Sequence, residues 1–304
     1  MIGERVLRIE DRRLLTGAGR YTADIVLPDQ AYVAFVRSPH ANAEVTSVDV
    51  ADAASAAGVL SVLTGQDYAS DGLASLFRPS SLPDHLDPGR PSLTDNELFP
   101  PPAPPPIVVD RVRHVGEIVA LVVAETAAAA VDGAELVIVG YEMLPSVTDA
   151  RLALADGVPQ VWDSGNLCAQ AERGDAALVA TTLDEAAHVV RLSVHNHRVH
   201  GSPIEPRSAL ATFDSESGRY ELYAPSQGVH RFRHALAQAL CVERETVRVV
   251  TPDVGGAFGL RIPCSNEYPL LLWAARRCGR PVKWEGTRSE GFVADVHGRD
   301  TYCD

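Results

Sequence analysis

Three observations on the sequence predict an α+β protein of two domains. Strand-like and helix-like runs are mixed in the first half, longer alternating runs follow in the second, and two breaks in composition divide the chain. With 304 residues, 46% of them hydrophobic, the chain is long enough to fill more than one core.

Taken in order, AYVAFVRS (31–38) predicts a strand, ADAASAAG (51–58) a small-residue helix ended by Gly58, and VLSVLT (59–64) a second strand. Residues 75–106 then hold prolines at a density that forbids regular structure, because each removes a backbone donor and fixes φ. A surface excursion is expected there, with no helix or central strand across 99–106. EIVALVVAE, TAAAAVDGAEL and VIVGYE repeat the order strand, helix, strand, so the first domain reads as residues 1–145 built from two similar halves. A softer boundary follows at 145–170, an extended crossover.

The second domain, residues 146–304, opens with the strand-like runs AHVVRLSVHNHRV, SALATFD and RYELYAP, and DSESG supplies a hairpin turn between the last two. VHRFRHALAQAL switches to helical spacing, with Val229, Phe232, Leu236 and Leu240 on one stripe. The strand TVRVVTP, a helix over YPLLLWAARRCG closed by Gly279, and the strand PVKWEG complete the series.

Several function classes are argued against at this stage. A formal net charge of -13 repels nucleic acid and anionic membrane surfaces. The N-terminus has no apolar core of signal-peptide length, and no window approaches the roughly 20 apolar residues of a membrane span. A cytoplasmic location is expected. The five cysteines, Cys168, Cys241, Cys264, Cys278 and Cys303, are odd in number and never in a CxxC arrangement, which reads as reduced thiols rather than a zinc or iron-sulfur site. His195 and His197 share one strand face while His200 falls on the other, with Glu205 the acidic neighbour, so no metal ligands are assigned.

The unusual residues follow strands. In TPDVGGAFGLRIP (251–263), Gly255, Gly256 and Gly259 are spaced GGxxG, which is neither the dinucleotide fingerprint nor a Walker loop. Phe258 between residues that tolerate positive φ reads as a ring displayed on a loop for stacking on a planar ligand, while a plain tight turn stays open beside that reading. In APSQGVH (224–230), Ser226 is a candidate helix N-cap and Gln227 an amide near backbone N–H groups, with a solvated glutamine equally open. If the strands before these loops are parallel, their C-terminal ends bring Gln227 and Phe258 close together.

The stretches ERVLRIEDRRLLTGAGRYTADIVLP, VRSPHANAEVTSVD, VRHVGEIVALVVAET, YEMLPSVTD, HRVHGSPIEPRSALATFD, APSQGVH, DVGGAFG, RPVKWEGTRSE and HGRD resemble, in order and spacing, one family. It is that of the molybdenum-binding large subunits of xanthine dehydrogenase, aldehyde oxidase and aerobic carbon monoxide dehydrogenase, and the resemblance covers nearly the whole chain. It implies an N-terminal α/β hammerhead domain, residues 1–145, followed by the first molybdopterin-binding domain, residues 146–304. It further implies that Gly255, Gly256, Ala257, Phe258 and Gly259 face the cofactor, with Phe258 beside the substrate ring, and that Gln227 hydrogen-bonds an oxo ligand of molybdenum.

The implied parent reaction is oxidation of an aldehyde, an N-heterocycle or carbon monoxide with water as the oxygen source. The implied cofactor is molybdopterin, its cytosine dinucleotide form included, with the iron-sulfur clusters and FAD on partner subunits and not on this chain. Ile262 stands where several relatives have a polar or acidic residue, so a purine-type contact is not implied. Because the family continues well past HGRD, the second molybdopterin domain and the glutamate base are expected on a missing C-terminal half, and the chain alone is expected to be inactive. The alternative is a non-catalytic interaction or assembly fragment of the same fold; the length favours it, and the intact Gln227 and GGAFG loop weigh against it.

Overall fold

The computed structural model describes residues 2–76, 104–168 and 174–304. The expectation for the proline-rich excursion therefore falls, apart from its ends, outside the described residues.

A short helix α1 (Asp11–Leu15) precedes strand β1 (Ala31–Arg37), strand β2 (Ala43–Asp49), helix α2 (Ala51–Ser55), strand β3 (Val59–Thr64) and helix α3 (Gly65–Ser70). Beyond the proline-rich stretch come β4 (Arg111–Val112), β5 (Ile118–Ala124), helix α4 (Ala127–Glu135) and β6 (Ile138–Met143). The later part holds helix α5 (Ala176–Glu185), β7 (Val194–Asn196), β8 (Ser208–Asp214), β9 (Arg219–Tyr223), helix α6 (Val229–Ala239) and β10 (Val247–Val250). Helix α7 (Glu267–Cys278), β11 (Val282–Glu285), helix α8 (Arg288–Ala294) and β12 (Thr301–Cys303) follow.

One seven-stranded sheet, in the order β10-β9-β8-β11-β1-β5-β3, runs through both halves of the chain. Its junction is the parallel pair β1–β11, with Ala31 opposite Val282 and Tyr32 opposite Lys283. Strand β5, IVALVVA, lies between β1 and β3 and is buried along its whole length, as a β-branched run with sheet neighbours on both edges requires. Its side chains alternate between two cores: Leu121 and Val123 join the one that holds Leu270, Leu271 and Trp273 of α7, while Ala120 and Val122 face Ala53 and Val137. Helix α4 starts on Thr126, whose hydroxyl accepts from the Ala129 N–H at 3.1 Å. Helix α7 ends on Gly279 in the left-handed region, φ 64°.

The two halves of the first domain are less alike than their sequences. β1 and β5 pair side by side, yet β3 stays in the large sheet while β6 joins β2 and β4 in a three-stranded one. Strand β2, AEVTSVD, carries too little apolar alternation to have been read as a strand, and its pairing with β6 is what defines it. The run AHVVRLSVHNHRV is a second difference. Only Val194–Asn196 of it forms a strand, and it pairs with β12 in a separate two-stranded ribbon. Val190 and Leu192 are exposed, so the run's apolar residues have no sheet to enter. The hairpin between β8 and β9 is as expected, with Asp214 opposite Arg219 and Gly218 at φ 68°.

Candidate active site

β9 and β10 are parallel neighbours, in register from Tyr220 opposite Val247 to Tyr223 opposite Val250. Their C-terminal ends therefore deliver the 224–228 and 251–259 stretches to one edge of the sheet, the place where ligands gather in such arrangements. Ala224 N–H donates to the Val250 carbonyl at 3.0 Å, and the hydroxyls of Ser226 and Thr251 are 2.6 Å apart. Ser226 is thus taken up by Thr251 instead of capping α6, whose N-cap is Gly228 without a side-chain cap. Gln227 closes the contact: its Oε1 accepts from the N–H groups of Gly259 at 3.0 Å and Arg261 at 3.3 Å, and its own N–H donates to the Arg261 carbonyl at 3.0 Å. Two N–H donors fix which end of the amide is oxygen, so Nε2 is turned the other way.

All six residues singled out from the sequence, Gln227 and Gly255 to Gly259, thus lie together. The loop needs its glycines for different reasons. Gly256 and Gly259 sit at φ 109° and 88°, where side chains are strained, whereas a Cβ on Gly255 would stand 2.5 Å from Glu205 Cβ. Phe258 itself has φ 50° and is 74% exposed, an apolar ring held out from the body of the molecule at a backbone cost. Among the described residues, the N–H groups of Gly256, Ala257 and Phe258 have no hydrogen-bond partner, and neither has Gln227 Nε2. Consecutive unbonded N–H groups with a residue of positive φ among them make a concavity suited to an acceptor-rich or anionic ligand. An oxygen- and sulfur-bearing cofactor with a planar substrate beside it fits this donor set and ring.

The loop is held from beneath by residues that sequence reasoning did not select. Glu205 Oε2 accepts from the Gly255 N–H at 2.7 Å, Glu205 N–H donates to the Gly255 carbonyl at 3.2 Å, and Arg261 Nη2 donates to the Glu205 carbonyl at 2.8 Å. Burial pushes the Glu205 carboxyl up, against the opposing pull of the Gly255 N–H and Arg261. At the root of the loop, Asp253 binds Arg13 through both carboxylate oxygens, at 2.5 and 2.7 Å, and accepts from the Arg20 N–H at 2.7 Å. These bonds, with the Arg13 pair first, hold its carboxyl well below the usual range. The partners lie 50 and more than 230 positions away in sequence, so no local signal marks them.

Behind the loop, Glu267 bridges Arg37 at 2.7 Å and Arg207 at 2.5 Å, and Arg207 also contacts Asp295. His200 continues the chain of contacts, with Nε2 3.2 Å from Asp295 and Nδ1 2.9 Å from the Ser202 hydroxyl. His195 and His197 stand apart from it, their rings 4.0 Å apart and His195 stacked on Tyr302. A cavity of about 550 Å³ opens between the two halves of the chain, with Arg37, Arg113, Arg207, Asn266 and Phe292 in its wall.

Comparison with known proteins matches residues 16–145 to the a/b hammerhead domain of aldehyde oxidase and xanthine dehydrogenase. Residues 161–304 match a molybdopterin cofactor-binding domain. The nicotine 6-hydroxylase large subunit of Paenarthrobacter nicotinovorans is 33% identical over 99% of this chain and 35% of its own length. The carbon monoxide dehydrogenase large chain of Afipia carboxidovorans is 29% identical over 96% of this chain and 36% of its own. Among solved structures, quinoline 2-oxidoreductase from Pseudomonas putida 86 superimposes with a TM-score of 0.86 at 35% identity, over 99% of this chain and 36% of the other. The chain thus spans about a third of the length of the relatives it matches.

Proposed function

Because the chain belongs to the family of molybdenum hydroxylase large subunits, joining their hammerhead domain to a molybdopterin cofactor-binding domain, we propose that it forms one wall of an active site that oxidises N-heteroaromatic rings. The observation that carries this reading is the loop with Gln227 set on it: an aligned amide donor, three unbonded N–H groups and an exposed aromatic ring within one short stretch. Bound there, a molybdenum cofactor supplies two-electron oxidation with oxygen drawn from water.

Gln227, with Oε1 committed to Gly259 and Arg261, would offer Nε2 as a hydrogen-bond donor to the cofactor and help to orient it. The N–H groups of Gly256 and Ala257 would donate to acceptor atoms of the cofactor. Phe258 would stack on the substrate ring, and Ile262, 40% exposed and apolar, suits a heterocycle that lacks the polar ring substituents of an oxidised purine. Two relatives are named for nicotine and quinoline, both N-heteroaromatics, which supports the same class. The cofactor is taken as the cytosine dinucleotide form of molybdopterin. Residues 1–145 and 146–304 serve as the two domains, electrons leave through iron-sulfur and FAD subunits, and the site works in the cytoplasm. Helix α5 buries none of its residues, Leu178 and Val179 included, and we assign this face to the remainder of a large subunit, which also brings the proton acceptor.

The test is the molybdenum and cytosine-nucleotide content of the chain purified alone and together with the products of its neighbouring genes, with dye-linked oxidation of quinoline and nicotine. The complex should hold near-stoichiometric molybdenum and turn over, and Gln227→Ala should depress turnover. The chain alone should do neither, since it supplies one wall of a cofactor that needs enclosure. A complex free of molybdenum would instead favour a non-catalytic assembly fragment.

A further inference from the structure

We propose that Glu205 is the positioning residue of the Gly255–Gly259 loop, setting which of its backbone N–H groups are open to a ligand. The inference rests on the reading of that loop as the cofactor-facing wall. Both polar atoms of the Gly255 backbone bond to Glu205, the N–H to Oε2 at 2.7 Å and the carbonyl from the Glu205 N–H at 3.2 Å. A third bond, from Arg261 Nη2 to the Glu205 carbonyl at 2.8 Å, joins it to the residue whose own backbone holds Gln227. One residue, through its carboxylate and its backbone, therefore ties three distant stretches into one register.

The geometry makes this more than general packing. Glu205 Cβ fills the space a side chain at position 255 would need, so glycine and glutamate are fitted to each other. With the Gly255 N–H committed to the carboxylate, the chain turns at Gly256, φ 109°, and the next three N–H groups are left unbonded. Glu205 Oε1 is itself buried without a partner, as are Arg261 Nε and Nη1, so the pocket beneath the loop holds polar atoms beyond those the fold consumes. The groups facing the carboxylate are Arg261 from the loop side, and Asp24 with the Thr22 backbone from the N-terminal turn. Protonation would neutralise the carboxylate and replace the charge-assisted bond to the Gly255 N–H by a weaker neutral one, which would loosen Gly255. The loop should respond to pH in the range where Glu205 titrates, above the usual glutamate value.

The experiment is ¹⁵N NMR with amide hydrogen exchange on the whole 304-residue chain, comparing wild type, Glu205→Gln and Glu205→Ala. In the wild type, the Gly255 and Gly256 signals should titrate together in the acid range. Glu205→Gln retains a neutral acceptor, as the protonated acid does, so its loop signals should sit near the acid end of the wild-type titration and no longer titrate. Glu205→Ala should speed exchange at Gly255 by about tenfold or more, the loss expected for a hydrogen bond to a charged group. It should also shift Gly256 to Phe258, with the α7 amides unchanged. Loop signals in Glu205→Ala that overlay the wild type would overturn the proposal. If the alanine variant fails to fold, a wild-type titration at Gly255 that persists in Glu205→Gln overturns it equally. A displaced loop in a chain that never acquires molybdenum within its complex would remove the cofactor reading and leave the positioning role. An unmoved loop removes the positioning role whatever the metal content.

Discussion

Replacing Glu267 by glutamine tests how strongly the buried charges join the two halves of the molecule. Glu267 is 2% exposed at the start of α7 and meets Arg37 from β1 at 2.7 Å and Arg207 before β8 at 2.5 Å. Burial alone would raise its pKa, but Arg207 and then Arg37 override it and bring it from 4.5 to about 2. A folded-state value depressed by that much corresponds to about 3 kcal/mol. This stabilisation is present above the unfolded value of 4.5 and is lost as pH falls through about 2. An independent figure agrees, since removing one partner of a buried pair costs about 3–5 kcal/mol. Glu267→Gln should therefore unfold in urea with a stability lower by about 3–5 kcal/mol at pH 7, and the deficit should shrink by about 2 kcal/mol at pH 3, where the wild type has lost most of the same contribution. A deficit under about 1 kcal/mol at pH 7, or one that does not change with pH, would refute the reasoning.

Other substitutions separate the site from the scaffold. Gly255→Ala places a methyl 2.5 Å from Glu205 Cβ and should cost about 1–3 kcal/mol while releasing the loop, read by urea unfolding and by the Gly256 amide shift. Phe258→Ala removes a ring that is 74% exposed, so stability should stay within about 0.5 kcal/mol of wild type while N-heteroaromatic binding by the assembled complex weakens; a large stability loss would mean the ring has a structural partner. Lys283→Met strips the donor that holds the Ala23 and Ile25 carbonyls, at 2.5 and 3.2 Å. It should cost about 2 kcal/mol and speed hydrogen exchange in residues 22–25.

The elements most legible in the sequence were those whose pattern and burial agree. IVALVVA is buried on both faces and reads as a strand from its β-branched run alone, and YPLLLWAARRCG declares its end through Gly279. The meeting of Gln227 and the glycine loop was legible on the condition that the two strands ending in odd loops run parallel, and β9 and β10 do. What failed to show was set by partners distant in sequence. Strand β2 exists because β6 pairs with it, and most of AHVVRLSVHNHRV is not a strand because, beyond Val194–Asn196 and a single bridge from Val199 to Gly298, nothing in the described residues pairs with it. Ser226 looked like a cap and became a partner of Thr251, 25 positions on. Glu205, Arg261 and Asp253 lie in stretches that stand out in the sequence, but nothing local singles them out, and their importance lies in backbone groups they reach across the fold.

The shared sheet decides which unit positions the loop. β10 and β9 carry the site stretches, β8 and β11 connect them to β1, and β1 belongs to the half of the chain that matches the hammerhead domain. The same half reaches the loop by two further routes, through Arg13 and Arg20 on Asp253 at its root and through Arg37 on Glu267 behind it. Separating the halves would expose the edges of β1 and β11 together, and would leave the Arg37 guanidinium and the Glu267 carboxylate each short of a partner in a buried setting. The loss at Glu267, with that of Arg13 and Arg20 on Asp253, falls on the two ends of the segment from Asp253 to Glu267 in which the glycine loop lies. The hammerhead half is therefore part of the frame that sets the geometry of Gln227 and Phe258, although none of the residues assigned to the site belongs to it.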